Sequence, residues 1–476
     1  MNTEKSRALA VNIYTGLMGL LLMSYFYVMA TYSHALVSGR VYFFPTLLHG
    51  VRIITAIMAI RLGKLWRNKG FLILLTYYAM ISLRILIFKP DSLFTEEVSD
   101  SLLTGIWVFC GCYGLAFVLN REQLKKYLFV LAILWTVGMT VNSCIGVYTA
   151  WSGRWIYTIG KGSYWGVSSE GRLWLTYYMT TSGSVLSISV LIALAGAYIA
   201  KRPEAKAAFI AASIPMIIAL SLTDSRSAQV TMAVGVAVLI GIALIQRLQI
   251  KGGKGDRKTW LKWAAVIIVM AVVFATMIFI SMKTIAVFNR LKADGIISRA
   301  IAETGEQISQ TISNRGYTGN NILTDRPAIW KAALQVIKRS PKTLLFGVSI
   351  ADPMAAINQI DPIGTHVSHC HNMPIMILLE NGAVGFLLIG VFMFLLCRGM
   401  FRTMKNNHKE RWRIAVIAPV ISILVGELVE CFVWLRAGEA PTLPFFFILA
   451  GVIIAGGLEK PERNAQHVLT LSTHKG

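Results

Sequence analysis

The chain has 476 residues, 55% hydrophobic and 14% charged, and a net charge of +23, with a mean hydropathy of +0.61. Apolar runs of ~18 residues or more recur from end to end, each long enough to cross a bilayer core of about 30 Å, which excludes a soluble globular enzyme. The basic residues lie in short loops between these runs rather than on a folded polar face, so no nucleic acid is expected as a partner.

The expected fold is all-α, a polytopic integral membrane protein of about 12 transmembrane helices. In chain order the spans are expected near 9–29, 41–60, 70–88, 101–119, 127–149, 174–199, 207–222, 228–247, 262–282, 372–396, 413–434 and 441–458. The N-terminal apolar run has a charged start but no small-residue cleavage site, and reads as an uncleaved first span. The cysteines Cys110, Cys112, Cys144, Cys370, Cys397 and Cys431 form no CxxC pair and imply no disulfide framework.

Lys and Arg in the loops set the orientation. The connections 61–70, 120–126, 201–206, 246–258 and 397–413 are basic, and they alternate without a break with 31–40, 89–100, 150–173, 223–226 and 435–441, which are poor in Lys and Arg or acidic. Both termini are therefore expected in the cytoplasm, and the second set outside a cytoplasmic (inner) membrane. The organisation that follows is a bundle of spans one to nine over 1–282, a large external loop over 283–371, spans ten to twelve over 372–458, and a cytoplasmic tail over 459–476.

Two external segments have content of their own. The loop at 150–173 is rich in tryptophan (Trp151, Trp155 and Trp165, with Trp174 just after). An aromatic belt at the interface explains this, and a platform touching glycan or lipid is the alternative. In the long loop, Thr324 or Asp325 reads as an N-cap, Pro327 lies in the first turn and Pro341 stops the run, which predicts an amphipathic helix over 326–339. Trp330, Ala333, Leu334 and Ile337 form its expected apolar face.

Polar chemistry gathers where span ten begins. THVSHCHN (365–372) carries His366, His369, Cys370 and His371, which invite a zinc reading. Adjacent residues do not readily turn onto one ion, so no metal is expected. Arg226 lies in the tight external turn TDSR, where Asp224 offers a local ion pair; the guanidinium and the free N–H groups of the next helix also suit an anion. Arg326, at the first turn of the external helix, should face the same side as Arg226 and His371. A neutral imidazole takes a proton from a hydroxyl near neutral pH, and two guanidinia hold a diphosphate and stabilise its growing charge. Of the other ionisable groups in or near spans (Arg52, Arg84, Glu380, Glu427, Glu430 and Arg436), pairing inside the bundle accounts for the set, with ion-coupled transport as the alternative.

These residues resemble a known family. His371-Asn372, nine residues, then Gly382-Ala383-Val384-Gly385 is similar to the HN-x9-GxxG pattern of the O-antigen ligase and polymerase superfamily, including Wzy-type polysaccharide polymerases. The arginine of TDSRSA (223–228) and the stretch 325–347 resemble its two other signatures, in the same order. The resemblance spans about 220–390. It implies a metal-independent inverting glycosyltransferase of GT-C-like architecture, without cofactor. Such an enzyme moves a glycan from an undecaprenyl-diphosphate carrier to a hydroxyl on a glycan or lipid-linked glycan acceptor. By that resemblance His371 is the base, Arg226 and Arg326 bind the diphosphate, and Asn372, Gly382 and Gly385 support them. His366, His369 and Cys370 are additional to the pattern, so His369 stands as an alternative acting histidine. A transporter or flippase of lipid-linked glycans and an external zinc hydrolase are the readings from other classes.

Overall fold

The structure, a computed structural model, describes residues 3–31, 43–88, 90–91, 96–153, 156–157, 164–168, 171–175, 179–248, 257–293, 326–348, 353–360, 369–406, 410–431 and 442–458. Thr324, Asp325, His366, Arg436, Trp155 and the tail from 459 lie outside the described residues.

The helices run α1 Thr3–Thr31, α2 Phe43–Gly63, α3 Lys69–Phe88, α4 Glu96–Ile106, α5 Tyr113–Val118 and α6 Arg121–Ser152. After a small sheet come α7 Met179–Ile199, α8 Pro203–Leu222, α9 Arg226–Arg247 and α10 Arg257–Ala293. The last group is α11 Arg326–Lys338, α12 Pro341–Phe346, α13 Pro353–Asn358, α14 Met373–Asn406, α15 Arg411–Ala415, α16 Ile417–Gly426 and α17 Thr442–Leu458. Among the described residues, nine helices are long and apolar enough to cross a membrane, and α17 is a shorter apolar helix. The chain is an all-α polytopic membrane protein.

Burial separates the helices into inner and outer members. α7 and α17 are apolar on every side and mostly buried, which marks core helices of the bundle. α10 is just as apolar but shows Trp260, Ile267 and Ile268 to the outside, the pattern of a lipid-facing helix. Two buried serines of α7 bond back to their own helix: Ser187 Oγ donates to Ser184 O at 2.8 Å and Ser189 Oγ to Val185 O at 2.6 Å.

Two expected spans differ in detail. The tryptophan loop folds into an antiparallel sheet of β1 Ile156–Tyr157, β2 Tyr164–Val167 and β3 Leu173–Leu175, so the helix of span six starts at Met179 rather than 174. Trp165 is held there by donating to Asn142 Oδ1 at 2.5 Å, while Trp151 is exposed against Phe288. Span eleven stops as a helix at Gly426, well short of 434. The next residues turn instead, because their carbonyls are taken by the start of α14: Glu427 O accepts from Met373 N at 2.9 Å and Leu428 O from Asn372 Nδ2 at 2.8 Å.

The same bonds align several elements at one end of the bundle. α16 packs on α9, and Ser422 Oγ donates to Thr231 O at 2.6 Å, which brings the last turn of α16 beside the first turns of α9. Arg172, buried beside β3, donates from Nε to Thr223 O at 2.9 Å and ties the sheet to the α8–α9 turn. The starts of α9 and α14 and the end of α16 therefore share one end. α11 lies on the bundle against α14 and buries Ile329, Ala332, Ala333, Val336 and Ile337. Its apolar face is rotated from the expected one: Leu334 is exposed, and Trp330 points its indole N–H at Cys370 O, 2.8 Å away.

Candidate active site

His371 is set by what happens on either side of it. Cys370 is fully buried and its carbonyl is taken by Trp330. Asn372 caps α14, with Oδ1 accepting from Ile375 N at 3.0 Å, and its amide is anchored on Leu428 O. Pinned on both flanks, His371 adopts φ +51°, a left-handed conformation that costs a non-glycine residue on the order of 1 kcal/mol and recurs at functional sites.

Glu430 organises the site. It is 2% exposed, and its two oxygens are divided between partners. Oε1 lies 2.5 Å from His371 Nδ1 and Oε2 is 3.1 Å from Arg326 Nη2. His369 Nδ1 is 3.6 Å from Oε1, too long for a hydrogen bond. A carboxylate this deep is tolerated because it is paired and bonded. Burial works to raise its pKa, but the hydrogen bond and charge of His371, with His369 and Arg326, outweigh this and hold it below the ordinary range. Glu430 is thus the ion that binds the histidine to the arginine.

The bonds fix both tautomers. His371 Nδ1 faces the Glu430 carboxylate and donates to it, so in the neutral ring the lone pair lies on Nε2. His369 Nδ1 accepts from His371 N at 3.2 Å, so its proton sits on Nε2. The rings meet edge to face with centroids 4.3 Å apart. The pair presents one acceptor, His371 Nε2, and one donor, His369 Nε2–H; neither atom has a partner among the described residues.

Burial pushes the His369 pKa down to about 4, against the Glu430 carboxylate, which raises it, and with His371 and Arg326 adding to the fall. A base whose folded pKa is depressed gives stability that is complete above its ordinary value of 6.5 and is lost as pH falls toward 4, because the unfolded chain binds the proton first. The expected result is a denaturation midpoint that drops between pH 6.5 and 4 and a His369→Gln variant whose midpoint is flatter over that window. Thermal unfolding in detergent at a series of pH values measures it; equal slopes for the two proteins would contradict it.

Two imidazoles and a carboxylate also make a zinc ligand set, and one ring nitrogen each of His369 and His371 and one oxygen of Glu430 all lie within 4.8 Å of one another. Three of the possible donors are engaged, His371 Nδ1 with Oε1, His369 Nδ1 with a backbone N–H and Oε2 with a guanidinium, while Nε2 of each ring is open among the described residues. Cys370 is not part of the group, and burial pushes its thiol up to about 12, where it is inert. The contacts run as a hydrogen-bonded relay from Arg326 through Glu430 to His371.

The structure thus brings His371 and Arg326 together through Glu430. It places Arg226 as the first residue of α9 at the same end of the bundle. Asn372 is a helix cap. Gly382 does more than allow close packing: it is a break within α14, at φ +63° and ψ −168°. Gly385 follows one turn later, where an added Cβ would clash with Asn381 Cβ and then meet Met80 Cε at 3.1 Å. Glu430, which from the sequence alone belongs with the general pairing of intramembrane charges, and Arg172, which braces the Arg226 turn by donating to Thr223 O, join the site only in the fold. An ionisable residue in an apolar run was the available signal for Glu430.

Residues 211–390 match a family model described as O-Antigen ligase. No curated protein matches the chain significantly. The match covers Arg226, Arg326, His371 and both glycines, and shows the resemblance to the O-antigen ligase and polymerase superfamily over that region.

Proposed function

We propose that this chain, whose central region has the O-antigen ligase signature, is a membrane glycosyltransferase that takes a glycan from an undecaprenyl-diphosphate carrier. The acceptor is a hydroxyl on another glycan or lipid-linked glycan, at the outer face of the cytoplasmic membrane, as in an O-antigen ligase or polysaccharide polymerase. The observation that carries the reading is the buried Glu430 that joins His371 to Arg326. It couples a base to an anion-binding group, and transfer from a diphosphate needs both at once. The alternation of basic loops supports the outer face for this end of the bundle.

In the proposed reaction the acceptor hydroxyl gives its proton to His371 Nε2 as its oxygen bonds to the anomeric carbon. The bond from that carbon to the diphosphate breaks, and its electron pair leaves with the phosphate. Glu430 stabilises the imidazolium that forms, as a carboxylate behind a catalytic histidine does. Arg226 and the donors of Arg326 not used by Glu430 receive the growing charge. His369 Nε2–H serves as a neutral donor that orients a substrate oxygen. One in-line displacement inverts the anomeric carbon.

The test is purified protein in lipid with a carrier-diphosphate glycan, with and without a chelator. Elongated or transferred glycan, carrier diphosphate in equal amount and insensitivity to chelation are expected. Activity lost to the chelator and restored by zinc would overturn the metal-free mechanism, and absence of any transfer would overturn the reading.

A further inference from the structure

A cavity of about 500 Å³ opens at the end of the bundle opposite His371. Its walls are the first turns of α6, the last turns of α7, α15 with the start of α16, and α17. On α6 the lining residues Lys125, Phe129, Ala132 and Trp135 recur at helical spacing, so one continuous face forms the wall. The active site lies at the opposite end, where α6 has run into the sheet and α9 begins.

The cavity is divided chemically along its length. Deep inside it is aromatic and aliphatic, with Phe129, Trp135, Phe445 and Leu449. Among these described side chains the polar group is Trp135 Nε1–H, and it is engaged with Ser189 Oγ at 2.8 Å. A hydrophilic ligand reaching that depth would lose water and gain no partner. The mouth is cationic: Lys125, Lys126, Lys201 and Arg202 face a single carboxylate, Glu122, already 3.9 Å from Lys125. Lys126, Lys201 and Arg202 are exposed. α8 also starts at this mouth; its N-cap Arg202 makes no side-chain capping bond, and Glu204 in its first turn offsets the positive end of the helix, so the cationic side chains carry the field.

We infer that this cleft is a binding site for one anionic diacyl phospholipid of the leaflet facing the basic loops. An acyl chain lies along the α6–α7 wall and the phosphate sits among Lys125, Lys201 and Arg202. Charge complementarity chooses the occupant: four cations against one paired carboxylate favour an anionic headgroup over a zwitterionic one of the same chain length. The inference is independent of glycan transfer and is tested without it.

The full chain is reconstituted with equal amounts of phosphatidylglycerol and phosphatidylcholine bearing identical chains, extracted gently, and analysed by native mass spectrometry. Retention of phosphatidylglycerol is expected, with a preference of about 10-fold from the basic cluster. The surface double variant Lys201→Glu/Arg202→Glu should lose the preference while remaining folded. Ala132→Trp, which fills the cleft, should lose bound lipid. Equal retention of the two lipids by the unaltered protein, or a preference unchanged in the double variant, would overturn the inference.

Discussion

Glu430→Gln is expected to lower glycan transfer by about 10²- to 10⁴-fold, the range for removing a carboxylate behind a metal ligand or a catalytic histidine. The amide has nearly the same shape, so packing is conserved and the charge is what disappears. Three consequences follow from the geometry. His371 Nδ1–H loses an anionic acceptor 2.5 Å away, so the tautomer with Nε2 unprotonated is no longer enforced. The imidazolium formed in the reaction loses its counter-ion. Arg326 loses the partner at 3.1 Å that holds it next to the histidine. Removing one member of a buried ion group also costs stability, on the order of 3–5 kcal/mol. Activity must therefore be read per folded molecule, from the monodisperse fraction in detergent. A distinguishing sign is the pH profile. If Glu430 acts through His371, the variant's profile shifts, whereas a purely structural role would scale the rate at every pH alike. Wild-type kcat in folded Glu430→Gln would remove the relay from the account.

Gly382→Ala is expected to be the most damaging of the conservative changes to the fold. Gly382 and Gly347 both sit at positive φ with extended ψ, a region open essentially to glycine alone. They face each other's backbone: a Cβ on Gly382 would lie 2.4 Å from Leu345 O, and one on Gly347 would lie 2.4 Å from Glu380 O. Backbone atoms cannot swing aside as a side-chain tip can. Val348 N donates to Leu379 O at 2.8 Å across the same crossing, and Arg84 fastens it from α3 by donating to Glu380 O at 2.7 Å and Gly347 O at 3.3 Å. The crossing joins the segment after α11 to the first half of α14, so it sets where Arg326 stands relative to His371. Strain of about 1–3 kcal/mol at the residue itself adds to the loss of these bonds, a large share of a typical margin of about 5–15 kcal/mol. The expected result is a Tm lower by several degrees or loss of the folded peak in size exclusion. Gly390→Ala, in the same helix with no atom within 4 Å of the added Cβ, should leave both unchanged. Equal tolerance of the two substitutions would show that the crossing does not hold α14 in place.

Local signals were legible in the sequence, and distant pairings were not. The helix at 326–338 was readable from its prolines and its spacing, and His371-Asn372 from a motif within a few residues. Arg226 was readable because a cation between two apolar runs stands out. Glu430 was not, since it lies 59 residues from His371 and 104 from Arg326, and only the folding of the last spans brings it to them. The early end of α16 escaped for a related reason: the residues after Gly426 are as apolar as a helix would need, and the hydrogen bonds that turn them come from Asn372 and Met373. The rotated face of α11 shows the same limit, since an amphipathic pattern gives a stripe but the partner helix decides its centre. Gly382 looks like a packing glycine in the sequence, because a positive φ leaves no mark on composition.

The most direct test of the account is a single-turnover assay of purified wild type and His371→Ala with a carrier-diphosphate glycan, following transferred glycan and released carrier diphosphate together. Transfer with equal release is expected in the wild type, and neither product in the variant, measured per folded molecule from the monodisperse, normally inserted fraction because the change also removes a partner of the buried Glu430. Transfer by a well-folded His371→Ala at the wild-type rate would contradict it.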